Sequence, residues 1–327
     1  MTSSGRRSVH VPVMPREVIR ALDLHPGLTV LDGTLGAAGH SLLIRKAISP
    51  DGCLIGIDRD PMMLEHAKQR LSSTADDSSE ATVILRQGSY NDSENILTEL
   101  SLSGVDRLLL DLGLSSDQLA DRERGFGFDA GGSLDMRFNP TEGKPAHQLL
   151  LEWNENQIAH CFEEYGEEPD STRIAAEIVR RRSTGHPVRT TEDLENAVSA
   201  AKGTGNSRSP KSRSTSGRSA ATGSDRGPRN PATRVFQALR IAVNNELEHV
   251  ERMLTTIMPR ILNDGGIAVI LTFHSLEDRI VKNAMKGLQG WHVTTRTPIE
   301  ATPAEIRLNP RTRSAKLRAI QKSHLKS

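Results

Sequence analysis

Two aspartates and three glycines are spaced along this chain in a way that suits a nucleoside-bearing ligand. Asp32 closes the apolar run Leu28 to Leu31; Gly33, Gly36 and Gly39 then follow at three-residue spacing, with His40 next. A second apolar run, Cys53 to Ile57, ends in Asp58. That lies about 20 residues past the turn, where a carboxylate accepts hydrogen bonds from ribose hydroxyls. A third run, Val105 to Leu112, carries Asp111 near its end. A dinucleotide fingerprint has the spacing G-x-G-x-x-G, which brings backbone amides and a helix N-terminus onto a pyrophosphate. Here the spacing is G-x-x-G-x-x-G with a carboxylate ahead of it, which suits an amine or a sulfonium better than phosphates. S-adenosylmethionine fits that description; a structural turn without a ligand and a nicotinamide or flavin site are the competing readings.

The elements that must hold these residues alternate. After Asp58 the pattern predicts a helix from Pro61 to Leu71, a strand from Thr82 to Arg86, a helix from Asp92 to Leu102 and a strand from Val105 to Leu112. Strands alternating with helices predict an α/β fold with a parallel, doubly wound sheet. The alternation stops near Ser115. Helical patterns around 146–164, 170–182 and 192–201 then predict an inserted, mostly helical domain. Within 203–230 the composition is Ser, Gly, Thr, Pro and Arg, with six Lys or Arg against one acid. Such a segment has little to bury and is predicted to be disordered, as a tether to RNA or a plain solvated linker. From Thr233 the α/β pattern resumes with one long helix to Leu262, a turn at Gly265 and Gly266 ending it, and a strand from Ile267 to Phe273. Ser275 reads as the N-cap of the next helix with Asp278 as its partner, and β-like runs at 291–297 and 315–320 close the sheet. The predicted domains are thus 1–114 and 233–327 for the sheet, split by an insertion at 115–232.

The 327 residues and 36% hydrophobic content are enough for a real core. No run approaches the roughly 18 apolar residues of a membrane span, and the N-terminal MTSSGRRSVH has no apolar stretch like a signal peptide. Structure is expected to begin by about His10, and the default location is the cytoplasm. Cys53 and Cys161 lie in different apolar patterns and read as inert buried thiols. The net charge of +1 says little about partners by itself, because the charges are unevenly placed.

Ten blocks carry a resemblance. HVPVM, DGTLGAAGH, GIDRDP, LLLDLGLSSDQL, ERGFGF, LDMR, YGEE, NPATRVFQALRIAVNNEL, FHSLEDRIVK and NPRTRSAKLR appear in this order and span nearly the whole chain. Together they resemble the bacterial 16S ribosomal RNA cytosine N4-methyltransferase family. The resemblance implies a class I, Rossmann-like methyltransferase with a seven-stranded sheet. It also implies methylation of the exocyclic amine of a cytidine in the decoding region of small-subunit ribosomal RNA, with S-adenosylmethionine as donor. By position, the donor site it implies comprises Ala38, Gly39, His40, Asp58, Tyr90, Asp111 and Gln118. Two departures from the family pattern stand out: Ala37 and Ala38 lie where relatives usually carry a basic residue and a glycine, and Asp117 replaces a common proline. Ala38 is expected to allow backbone contacts through a negative φ.

A sulfonium methyl is already activated, so the chemistry needs position and a polar environment in place of water. The cytosine amine is a poor nucleophile because its lone pair is delocalised, and acceptors must hold its N–H groups while the nitrogen pyramidalises. Asp111 is the candidate catalytic group. Phe126 and Phe128, with Arg124 and Arg137, are the candidate substrate contacts, because a flipped base needs an aromatic face and phosphates need cations. Those aromatics pinning their loop to the core is the competing reading. Arg122, the run Arg180 to Arg182, Arg234, Arg240, Asn244, and Arg311, Arg313, Lys316 and Arg318 extend the candidate RNA surface. No metal is expected, since methyl transfer requires none. The expected partner is small-subunit ribosomal RNA or the assembled subunit, with no membrane, and a homodimer is left open. The rival functions are an RNA-binding ribosome-assembly factor of weak activity, and methylation of another nucleic acid or a protein.

Overall fold

The computed structural model describes residues 12–72, 80–128, 131–203 and 230–324. The expected disordered segment, Gly203 and Asn230 apart, lies outside them, as does His10. The chain divides into two compact units, Met1–Ser116 with Glu246–Ser327, and Asp117–Asn245.

The first unit is built on a single sheet: β1 (Thr29–Asp32), β2 (Cys53–Asp58), β3 (Thr82–Gln87), β4 (Val105–Asp111), β5 (Leu262–Thr272), β6 (Trp291–Val293), β7 (Ile299–Glu300) and β8 (Lys316–Lys322). Its order is β3-β2-β1-β4-β5-β8-β6, and β7 pairs with β8 off that path. The expected seven strands are joined by a short eighth, β7, which lies past the predicted run 291–297; that run is a strand only over Trp291–Val293. The first five strands are mutually parallel, and β8 is antiparallel to both β5 and β6.

Strand alternation assigns the core. Val30, Leu109, Val269, Leu271 and Leu317 pack one face with Leu22, Ile44 and Ile48. Leu31, Leu108, Leu110, Ala268, Ile270 and Ile320 pack the other with Leu254, Ile257, Met258 and Val281. Both faces are thereby covered, which is why these strands read as continuous apolar runs rather than alternating ones. Chain order reverses between β1 and β4, and open α/β sheets bind ligands at the carboxyl edge of such a switch point.

Three local expectations are corrected. The helix expected from Thr233 to Leu262 is broken: Thr233–Asn244 stops at Asn245 in the left-handed conformation (φ 51°), and Glu246–Arg252 begins afresh. A π-helical turn, Met253–Ile257, then leads into Met258–Ile261. Pro259 has no N–H to complete a regular helix there. Gly265 and Gly266 do not cap that helix; they lie within β5, whose pairing with β4 shifts register between Val105 and Arg107. The N-cap of helix Ser275–Gly287 is His274 rather than Ser275, with its Nδ1 accepting the Glu277 N–H at 3.4 Å.

The second unit is helical: Ala146–Glu152, Glu155–Gly166, Ser171–Ser183, Thr191–Ala201 and Thr233–Asn244. The predicted stretch 146–164 is two helices because Asn154 caps the second through a reciprocal pair with Gln157. Arg182 and Asn244, both candidates for the RNA surface, hold this unit together instead. Arg182 donates to the carbonyls of Leu150, Leu151 and Trp153, and Asn244 binds the Phe138 N–H and the Met136 carbonyl.

Candidate active site

The carboxyl ends of β1, β2 and β4 converge through the turn after β1. Gly33 N–H donates to the Leu109 carbonyl at 3.0 Å, and Leu35 N–H to that of Ile57, also at 3.0 Å. A Cβ on Gly33 would sit 2.7 Å from Leu110 Cδ2 and 2.9 Å from Tyr90 Cβ, so only glycine lets the turn lie this low against its neighbours. Asp32 is buried and organises the turn, with Oδ2 accepting the Ser41 hydroxyl at 2.6 Å and Oδ1 the Thr34 N–H at 3.2 Å. Burial raises its pKa.

Asp58 terminates β2 with one oxygen accepting Gly36 N–H at 2.7 Å and the other Asp60 N–H at 2.8 Å. Each oxygen keeps a lone pair for a further donor. Burial pushes its pKa up to about 7, against the lowering effect of those two N–H groups.

Ala38 departs from the expected conformation. Its φ is +60°, not negative, and it sits fully buried as the N-cap of helix Gly39–Ile48. The left-handed region costs a non-glycine residue about 1–2 kcal/mol, partly offset by the about 0.5–1 kcal/mol that glycine's freedom costs. Ala38→Gly should therefore stabilise the protein by about 0.5–1 kcal/mol, read as a higher midpoint in denaturant. An unchanged or lower midpoint would show that the turn carries no such strain.

His40, next but one in that helix, has both ring nitrogens buried without a hydrogen-bond partner. Its Nε2 lies 3.5 Å from Asp111 Oδ2, at the end of β4. The Asp111 N–H donates to Thr34 Oγ1 at 2.6 Å, and Asp111 Oδ1 faces Gly113 N–H at 3.3 Å. Tyr90 follows β3 in the turn Tyr90–Asp92, with burial raising its hydroxyl pKa and Glu246 adding to that. Thr34 and His249 were missed by the sequence reading. Thr34 sits within the quoted turn, and its hydroxyl next to Asp32 was the available signal. His249 reaches the Tyr90 turn from 160 residues away and gave no signal in the sequence.

Glu246, His274 and Glu277 place one ligand-type atom each within 4.8 Å of one another. Since His274 Nδ1 accepts the Glu277 N–H, Nε2 carries the ring proton and faces Glu277 Oε1 at 2.9 Å.

In the second unit, Gln118 is buried in the short helix Ser116–Ala120. Phe126 stacks on Phe138 at 5.6 Å, and Phe128 lies against Phe236 at 4.6 Å. Arg124 is buried, donating to the carbonyls of Arg137 and Phe138. Arg137 forms a bidentate pair with Asp135 at 2.7 and 2.8 Å, which raises its own pKa and lowers that of Asp135. In the first unit, Arg318 is not an available phosphate contact, because it is buried against Asp278. Arg311 donates to Ser116 Oγ at 2.6 Å.

A mixed sheet of this order, closed by an antiparallel strand and carrying acidic residues at the ends of β1, β2 and β4, defines a class I methyltransferase. Comparison with known proteins narrows the class. The chain belongs to the MraW methylase family, whose profile matches residues 7–323. It is 43% identical over 321 residues to the ribosomal RNA small subunit methyltransferase H of Acidobacterium capsulatum, covering 97% of this chain and 99% of that protein. The protein of the same name from Geobacter sulfurreducens is 40% identical over 331 residues, covering 96% and 98%. Among solved structures, Aeropyrum pernix fibrillarin with natively bound S-adenosyl-L-methionine aligns at a TM-score of 0.37 and 11% identity, covering 90% of this chain and 67% of that one.

Proposed function

We propose that this protein methylates the exocyclic N4 amine of a cytidine in the decoding region of small-subunit ribosomal RNA, with S-adenosylmethionine as donor. The observation that carries the reading is the cluster at the carboxyl edge: Asp58, Tyr90, and Asp111 with His40 at 3.5 Å. Relatives at about 40% identity over nearly the whole chain bear a small-subunit ribosomal RNA methyltransferase name. The assembly-factor and other-substrate alternatives are not favoured.

The residues fit the donor. Two carboxylates can accept from hydroxyls and an ammonium, an aromatic face is at hand for the adenine, and the buried His40 nitrogens make no hydrogen bond in the protein, Nε2 facing Asp111 Oδ2 at 3.5 Å. When bound, S-adenosylmethionine supplies an electrophilic methyl on sulfur. Asp58 would accept from the ribose hydroxyls, Tyr90 would flank the adenine, and the backbone of Ala38, Gly39 and His40 would line the methionine end. Asp111 accepts an N–H of the target amine, which frees the nitrogen lone pair for in-line attack. Asp111, faced by His40 Nε2 at 3.5 Å, would take the proton that the amine gives up on methylation. Phe128 and Arg137, both part-exposed, serve the substrate, while Phe126 and Arg124 support their loop.

Among the described residues no helix is long and apolar enough to cross a membrane. The same proposal extends to a cytoplasmic protein that acts on the RNA or on the assembled small subunit.

The test is methyl transfer from labelled donor to unmethylated small subunits. Asp111→Asn should lower kcat by about 100-fold, the usual scale for a positioned proton acceptor, while the fold is retained. Unchanged kcat would remove Asp111 from the chemistry, and label found anywhere other than cytidine N4 would overturn the substrate.

A further inference from the structure

The turn that carries Tyr90 is fixed from two directions. Locally it is a capping box, with Ser89 Oγ accepting Asn91 N–H at 3.2 Å and Asp92 accepting Ser89 N–H at 2.8 Å. From outside, His249 of helix Glu246–Arg252 reaches both residues that flank Tyr90. Its Nδ1 lies 3.1 Å from Ser89 Oγ and 3.1 Å from Asn91 Nδ2. An amide nitrogen only donates, so Nδ1 is the acceptor, the Ser89 hydroxyl donates too, and the ring proton is on Nε2. The imidazole also meets the Tyr90 ring edge-on, with centroids 6.3 Å apart and planes at 88°. One side chain thus holds the residues before and after Tyr90 and limits the tilt of the tyrosine ring itself.

We infer that His249 is a positioning residue for donor binding, which holds the Tyr90 ring at the angle its flat ligand requires. The inference rests on the proposed role of Tyr90 beside the donor's adenine. Ser89, Tyr90 and Asn91 follow β3 directly, and the position of Gly33 leaves the Tyr90 root no room to retreat toward β1. On its other side the turn meets His249 of helix Glu246–Arg252. Neutral imidazole is the form that accepts both hydrogen bonds, and burial together with Arg59 lowers the His249 pKa. Arg252 acts in the same direction, while Glu248 and Asp92 oppose it.

The experiment measures S-adenosylmethionine affinity of the full chain by calorimetry. His249→Phe keeps a ring against Tyr90 but removes the acceptor, and should weaken binding about tenfold, as expected for two lost hydrogen bonds. His249→Gln, which restores an acceptor, should recover part of that loss, and kcat at saturating donor should be unchanged in both. In a Tyr90→Ala background the same His249→Phe change should cost less than about twofold. Full additivity with Tyr90→Ala, or wild-type affinity in His249→Phe, would overturn the inference. Failure of the wild type to bind the donor at all would instead overturn the functional proposal on which it rests. If His249→Phe does not fold, His249→Leu, which also lacks the acceptor, takes its place in the cycle with Tyr90→Ala.

Discussion

Asp58→Ala should weaken S-adenosylmethionine binding by about 100-fold, the loss of roughly two charge-assisted hydrogen bonds to the ribose. The change acts twice. It removes the acceptor for the hydroxyls, and it frees the Gly36 and Asp60 N–H groups that shape the turn. The wild type also has a pH signature. With the carboxyl pushed up to about 7, it is mostly ionised at pH 8 and mostly protonated at pH 6. Ribose hydroxyls donate to the ionised form, so donor affinity should fall about tenfold from pH 8 to pH 6, and that dependence should vanish in Asp58→Ala. Stability of the ligand-free protein has the opposite sign. A carboxyl whose folded pKa is raised contributes stability below its unfolded pKa, and loses it as pH rises through about 7. Calorimetric titration at the two pH values separates the effects, and a pH-independent affinity in the wild type would show that Asp58 does not meet the ribose.

The second large effect is on the fold. Asp278 takes Arg318 Nε at 2.7 Å and Nη2 at 3.1 Å, with Lys316 at 3.4 Å, and both Asp278 and Arg318 are buried. Truncating one partner leaves the other charge buried and uncompensated, which costs about 3–5 kcal/mol. Asp278→Ala should accordingly lower the midpoint of thermal unfolding by about 4–7 °C at this chain length. Arg318 and Lys316, though opposed by burial, leave the Asp278 pKa below its ordinary value. A depressed carboxylate contributes stability above its unfolded pKa and loses it as pH falls through the folded value. The wild type should therefore lose this part of its stability only in strong acid, below about pH 4, while Asp278→Ala shows none of that acid-dependent loss. Equal unfolding midpoints at pH 7 would mean that helix Ser275–Gly287 is held to β8 by packing alone.

The sheet was legible because strands buried on both faces leave apolar runs, and Asp32, Asp58 and Asp111 mark where β1, β2 and β4 end. The helix bounds were less so. The stop at Asn245 carries only the weak local signal that asparagine tolerates the left-handed conformation, in a pattern whose apolar period continues on both sides. Ser275 looked like an N-cap because Asp278 sits three residues on. Asp278 is instead committed to Arg318, 40 residues later, and His274 takes the cap. Ala38 was read with a negative φ because alanine rarely adopts any other, and the tight turn overrode that preference. The candidate cations show the same limit. Spacing reveals that an arginine exists, but whether Arg182 meets a phosphate or three carbonyls depends on helices that no local pattern brings together.

The central claim is tested most directly by digesting small-subunit ribosomal RNA to nucleosides from cells with and without this protein, followed by mass spectrometry for N4-methylated cytidine. The nucleoside should disappear without the protein, return with the wild type, and stay absent with Asp58→Ala. An unchanged level of N4-methylated cytidine in cells lacking the protein would contradict the assignment of this reaction.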